Sequence, residues 1–152
     1  MNPEPAPDAA TRAAPADRLA RLVEEFRALP TDSDRKREII AELDDNAAAQ
    51  PFLVSVVADA DEYDLARTEA ATVLRLWPPA DPGLRHRAGR ALLAALNDPE
   101  EDLVRQYAAM ALGPYASDDP AVAEALIVAG GSEEDPLVQA CARSALEEAG
   151  LA

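Results

Sequence analysis

The chain has 152 residues, 49% of them apolar but only 4% aromatic, with a formal net charge of −15. A chain of this length is expected to form one domain that buries about two-thirds of its surface, with Ala, Leu and Val supplying the core in place of aromatic rings. Two function classes are disfavoured at once. No run approaches the ~18 apolar residues of a membrane span, and phosphate binding calls for a basic surface that this composition does not supply.

Residues 1–15 are rich in Pro and Ala without any period and are expected to form a flexible tail, leaving 16–152 as the folded domain. The first residues carry neither a basic nor an apolar leader segment, so no signal peptide is expected. A first helix is predicted from about Ala16 to Leu29, with Leu19, Leu22, Val23, Phe26 and Leu29 on one face. Pro30 ends it, and Thr31 with Asp34 forms a capping signal for a second helix through Ile39, Ile40 and Leu43. Asp44-Asp45-Asn46 breaks that helix. Pro51 opens a short apolar segment, Phe52 to Ala58, whose β-branched residues argue for a strand while its place in the repeat argues for a helix. The repeat register decides for helix.

Beyond residue 59 the chain repeats itself. Leu65, Leu103 and Leu137 fall in one column; Ala66, Val104 and Val138 in the next; then Ala70, Ala108 and Ala142, and finally Leu74, Leu112 and Leu146. The offsets are 38 and 34 residues, the spacing of stacked helical units that hide their apolar faces only against neighbours. In the first copy Ala66, Ala70, Val73, Leu74 and Trp77 share a face, mirrored by Val104, Ala108, Ala111, Leu112 and Tyr115 in the second. Asp81-Pro82, Asp98-Pro99, Asp119-Pro120 and Asp135-Pro136 read as helix starts, because Asp caps free N–H groups and Pro suits the first helical position. Trp77 to Ala80 forms a turn between paired helices. The helix after Pro120 is expected to stop at Val128, about one turn short of its counterpart, with Gly130-Gly131 ending it and Gly150 ending the last helix. The segment before residue 59 is read as a degenerate first unit, since Arg37 precedes Arg67 by 30 positions.

Asp98 followed by Leu103-Val104-Arg105, Ala108-Ala109 and Leu112-Gly113 resembles the HEAT repeat, in the short form also seen in phycobilisome-lyase-type proteins, over roughly residues 59–149. The resemblance implies an all-α, right-handed α-α superhelix of about seven or eight helices. It also implies a ladder between neighbouring units from an acidic loop residue and an Arg, with Asp61 and Arg67, then Asp98 and Arg105, in those parts. The third copy has Glu133 and Gln139 instead.

Two contact surfaces follow. The first is an acidic loop edge: Asp59, Asp61, Glu62 and Asp64; Asp98, Glu100, Glu101 and Asp102; Glu133, Glu134 and Asp135. Residues 98–152 carry 12 acids but only Arg105 and Arg143 as bases, a balance of −10 against −5 for residues 1–97. Such an edge would attract a basic protein; the competing reading is that acids at helix N-termini merely cap and oppose the macrodipole. The second is a basic row, Arg85, His86, Arg87 and Arg90, with His86, Arg90 and Leu93 on the exposed face of a helix that the resemblance places on a concave side. A solvated helix face is the competing reading there. Metal and catalytic chemistry are not expected. Asp59-Ala60-Asp61 lacks the Gly and closing Glu of a calcium loop, and the single His86 and single Cys141 make neither a zinc site nor a nucleophile–base pair. With one cysteine there is no internal disulfide, so a reducing cytoplasm is the expected setting.

The sequence therefore points to a non-catalytic protein-binding module needing no cofactor, with Asp98, Glu100, Glu101, Asp102, Glu133, Glu134, Asp135, His86 and Arg90 as contact residues. The partner is expected to be a protein with a basic surface, not nucleic acid or membrane. An immunity-type inhibitor of a basic toxin or nuclease is a narrower reading. A bilin-lyase-like activity is a further alternative, suggested only by the resemblance.

Overall fold

The computed structural model describes residues 9–132 and 134–152. Among them are eight α-helices and no strand: α1 (Ala9–Ala28), α2 (Arg35–Glu42), α3 (Gln50–Ala58), α4 (Asp64–Leu76), α5 (Pro82–Leu96), α6 (Asp102–Ala111), α7 (Pro120–Ser132) and α8 (Pro136–Glu148), with 3-10 turns at Ala47–Ala49 and Gly113–Tyr115. None of these helices is long and apolar enough to cross a membrane.

The first helix starts at Ala9, so part of the segment expected as a tail is helical, and residues 1–8 lie outside the described residues. Alanine-rich sequence favours that extension, since Ala gives up no side-chain entropy in a helix. α2 starts without the expected side-chain cap: Asp34 sits at the N-cap position, but its carboxylate accepts from the Tyr63 hydroxyl at 3.2 Å instead. Arg35 then ties α2 to α1 by donating to Glu25 at 2.7 Å, and braces α2 itself by donating to Glu42 at 3.0 Å. α3 is helical despite its valines. Leu53, Val56 and Val57 are buried at helical spacing, and Phe52 meets Phe26 edge-on, centroids 5.1 Å apart. Burial of that face outweighs a β-branched propensity cost of less than about 1 kcal/mol per residue.

The helices pack in two alternating series. α2, α4, α6 and α8 touch in succession; α3, α5 and α7 form the second series; α1 lies against α2. Ala70, Ala108 and Ala142 are fully buried, and their small side chains let α4, α6 and α8 approach closely, since interaxial distance follows the side chains at the contact. Leu74 and Leu112 are fully buried beside them. The tightest consecutive pairs are α3–α4, α5–α6 and α7–α8. The expected pairing across Trp77–Ala80 is therefore displaced by one helix: the acidic connections are the turns inside the close pairs.

The repeat step shortens where expected, but not for the expected reason. α7 has 13 residues against 15 in α5, so the helix supplies half of the four-residue difference, and a shorter connection into α8 supplies the rest. α7 also runs through Gly130-Gly131 to Ser132. Gly130 is where Arg143 crosses: its carbonyl accepts from Arg143 Nε at 2.7 Å, and a Cβ there would lie 3.2 Å from Arg143 Cγ. Gly150 does end α8, at φ 74°, with Gly150 N–H donating to Glu147 O and Leu151 N–H to Leu146 O. That is the Schellman arrangement, which satisfies the last carbonyls.

One expected core residue is not in the core. Tyr115 is 2% exposed, whereas its counterpart Trp77 is 53% exposed. Tyr115 reaches back between units to donate its hydroxyl to Leu74 O at 2.6 Å. At the corresponding place beside Trp77, Gln50 takes the Trp77 carbonyl at 3.0 Å and the indole is left outside.

Candidate protein-binding surfaces

Asp98 is the centre of the predicted acidic edge, and the structure turns it inward. α6 begins at Asp102, so Asp98-Pro99 is not its start. The Asp98 carboxylate instead accepts from Glu100 N–H at 2.9 Å and from Arg67 Nη1 at 2.8 Å. Arg67 also donates through Nε and Nη2 to Val57 O, at 3.2 and 3.0 Å, satisfying a carbonyl at the end of α3. The two side chains are 4% and 9% exposed. The Arg67 guanidinium, followed by the backbone N–H of Glu100, holds the Asp98 carboxyl below its ordinary range.

The inter-unit link is therefore Arg67 to Asp98, one unit further on than the expected Asp61–Arg67 pairing. Arg105 meets Asp98 only through the backbone, donating to its carbonyl at 2.8 Å, and pairs with Asp102 one turn away. Asp61 N–H is held by the Asp59 carboxylate at 3.0 Å. An earlier rung exists as well: Lys36, buried beside the Phe26 ring at 4.8 Å, donates to Glu62.

Two of the expected edge acids, Glu62 and Asp98, are thus structural joints. Asp135 caps α8 by accepting from Leu137 N–H at 2.9 Å, as a residue before Pro should, and Asp64 accepts from Leu65 N–H at 2.9 Å. Glu133 lies outside the described residues. Glu100 and Glu134 are exposed and Glu101 half-buried, and no cation pairs with these three among the described residues. The charge imbalance counted along the chain also shrinks in space. Arg75, Arg85 and Arg90, all from the first two-thirds, reach Glu148 at 3.2 Å, Asp118 at 2.6 Å and Asp119 at 2.8 Å.

Those last contacts dispose of most of the basic row. Arg85 donates to Asp118 and, at 2.6 Å, to Pro114 O, with its guanidinium 5.4 Å from the Tyr115 ring centroid. Arg90 grips both oxygens of Asp119, at 2.8 and 3.3 Å, and His86 Nδ1 stands 3.6 Å from the same carboxylate. Asp119 also caps α7 through Ala121 N–H at 3.1 Å, and Arg90 foremost keeps its carboxyl below the ordinary range. Arg85, His86, Tyr115, Asp118 and Asp119 line a cleft of about 470 Å³ between α5 and the connection before α7. His86 and Arg90 are exposed as expected, but Arg90 is already matched. The sequence did carry a signal for these pairings: Arg67–Asp98, Arg85–Asp118 and Arg90–Asp119 are separated by 31, 33 and 29 residues, about one repeat.

Cys141 is half-buried, and burial, with Asp135 adding to it, pushes its thiol above the ordinary range. That disfavours the thiolate a nucleophile requires. Among the described residues no three His, Cys, Asp or Glu side chains are grouped to hold a metal ion. Compared with family models, curated proteins and solved structures, the chain matches none.

Proposed function

We propose that the chain is a non-catalytic protein-binding module, a HEAT-like right-handed α-α superhelix whose loop edge at Glu100, Glu101, Glu133 and Glu134 receives a basic protein surface. The superhelical reading draws support from the two alternating helix series and from the Arg67–Asp98 link that joins one unit to the next. The binding reading rests on one observation. Glu100, Glu101 and Glu134 flank the neighbouring helices α6 and α8 without a cation partner among the described residues, while the only bases of the last third are engaged elsewhere: Arg105 with Asp98 and Asp102, and Arg143 with Gly130 O. Uncompensated carboxylates on adjacent turns focus a negative potential that steers a basic partner. An immunity-type inhibitor masking a basic toxin or nuclease is the narrower form of the same proposal, favoured by small size and a net charge of −15. It carries a cytoplasmic setting with it.

The test is association of the full chain with a lysine- and arginine-rich peptide, titrated at two salt concentrations, against the quadruple variant Glu100→Lys, Glu101→Lys, Glu133→Lys and Glu134→Lys. The variant should bind at least about tenfold more weakly and lose most of the salt dependence. Equal affinity and an equal salt slope would remove the edge as the contact surface.

A further inference from the structure

Trp77, the only tryptophan in the chain, is exposed for want of a partner, not for want of order. Its N–H donates to Val73 O at 2.8 Å as the C-cap of α4, its carbonyl is held by Gln50, and the following Pro78-Pro79 is stiff, with Pro79 fully buried. The backbone is thus hydrogen-bonded in place while Trp77 as a whole stays 53% exposed beside Leu76, itself 64% exposed. Large apolar side chains held rigid at the surface are the usual anchors of binding sites, because little entropy is lost when they are covered.

The same groove has a charge. Trp77 and Leu76 line it with Gln50, Asp44 and Asp45. Both aspartates are exposed, and neither pairs with a cation among the described residues. Capping does not account for them either. Asp44 follows the C-terminal end of α2, where the macrodipole disfavours negative charge, and the cap of the next turn is Asn46, which accepts from Ala48 N–H at 3.0 Å. The C-terminal carbonyls of α4 add further negative character beside the indole.

We propose that this groove is an arginine-docking site: a protein partner lays a guanidinium on the Trp77 ring, with its charge between Asp44 and Asp45 and its neighbouring apolar residue on Leu76. Arginine fits better than lysine, since a planar guanidinium both stacks on an aromatic face and bonds carboxylates through two N–H groups. The groove holds about 240 Å³, below the roughly 300–1,000 Å³ of small-molecule and cofactor pockets, so it accommodates a side chain. The site is independent of the loop edge, which borders the N-terminal ends of the helices. α4 separates Trp77 from the Asp59–Asp64 connection by its own length of about 20 Å.

Because Trp77 is the sole tryptophan, its fluorescence reads the site directly in the intact chain. Titration with a short capped peptide bearing arginine and leucine should give a saturable change in emission, with at least about tenfold weaker binding when citrulline replaces arginine. Asp44→Asn with Asp45→Asn, both exposed and so compatible with a wild-type circular dichroism spectrum, should weaken the arginine peptide by at least about tenfold. Glu100→Gln, Glu101→Gln and Glu134→Gln should leave the Trp77 response intact even if association at the loop edge is lost. No emission change with the arginine peptide, an equal response to the citrulline peptide, or an undiminished response in the aspartate variant overturns the proposal. So does an emission shift that depends on protein concentration alone, which would make the groove an interface between two copies.

Discussion

Replacing Arg67 with Met strips three contacts from one buried point. The guanidinium donates twice to Val57 O and once to Asp98, and is 4% exposed. Methionine fills much of the space but leaves a buried carbonyl without a donor and a buried carboxylate without a counter-charge. Breaking a buried pair from one side costs about 3–5 kcal/mol, which in a domain of this size lowers the melting temperature by about 6–20 °C. Thermal unfolding followed by circular dichroism measures this. Arg67→Met, Asp98→Ala and the double variant complete a thermodynamic cycle, in which the double should lose clearly less than the sum of the singles, by more than about 1 kcal/mol. A shift below about 3 °C, or strict additivity, would mean that α3, α4 and the connection before α6 are held by apolar packing alone and that the Arg67 link is incidental.

The pair also fixes a pH dependence. The native Asp98 carboxyl titrates below its unfolded value of about 3.9, so its contribution is complete above that value and is lost as pH falls through the lower native one. The melting-temperature gap between wild type and Asp98→Asn should be wide at pH 7 and close below about pH 4; a gap independent of pH would refute the assignment. Tyr115→Phe removes the hydroxyl that donates to the buried Leu74 O and should cost about 1–3 kcal/mol by denaturant titration, with no change in helix content. Gly89→Ala should move stability the other way. A Cβ there meets Tyr115 at 3.4 Å, ordinary contact, so the gain in helix propensity of about 0.5–1 kcal/mol should show as a higher denaturation midpoint.

What could be read from the residues alone is what local chemistry controls. The columns of Ala70, Ala108 and Ala142 and of Leu74 and Leu112 declare themselves through a 3.6-residue rhythm repeated down the chain, and all five are buried. Asp81 and Asp135 cap their helices as Asp before Pro should, accepting from Leu84 N–H at 2.8 Å and Leu137 N–H at 2.9 Å. Asp98-Pro99 looks the same in sequence and is used differently, because Arg67 of the preceding unit comes within 2.8 Å of it.

That difference belongs to tertiary structure. A cap joins groups two or three residues apart, and its geometry is contained in the helix end. An ion pair such as Arg85–Asp118 or Arg90–Asp119 depends on how far one helix is offset from the next, which packing sets. Charge counted along the chain therefore overstated the acidity of the last third, since arginines from earlier helices reach into it. Trp77 is the clearest case. By rhythm it matches buried Tyr115, but whether an aromatic ring finds cover depends on what the previous unit presents. There Gln50 accounts for its carbonyl, and the described residues leave Trp77 53% exposed.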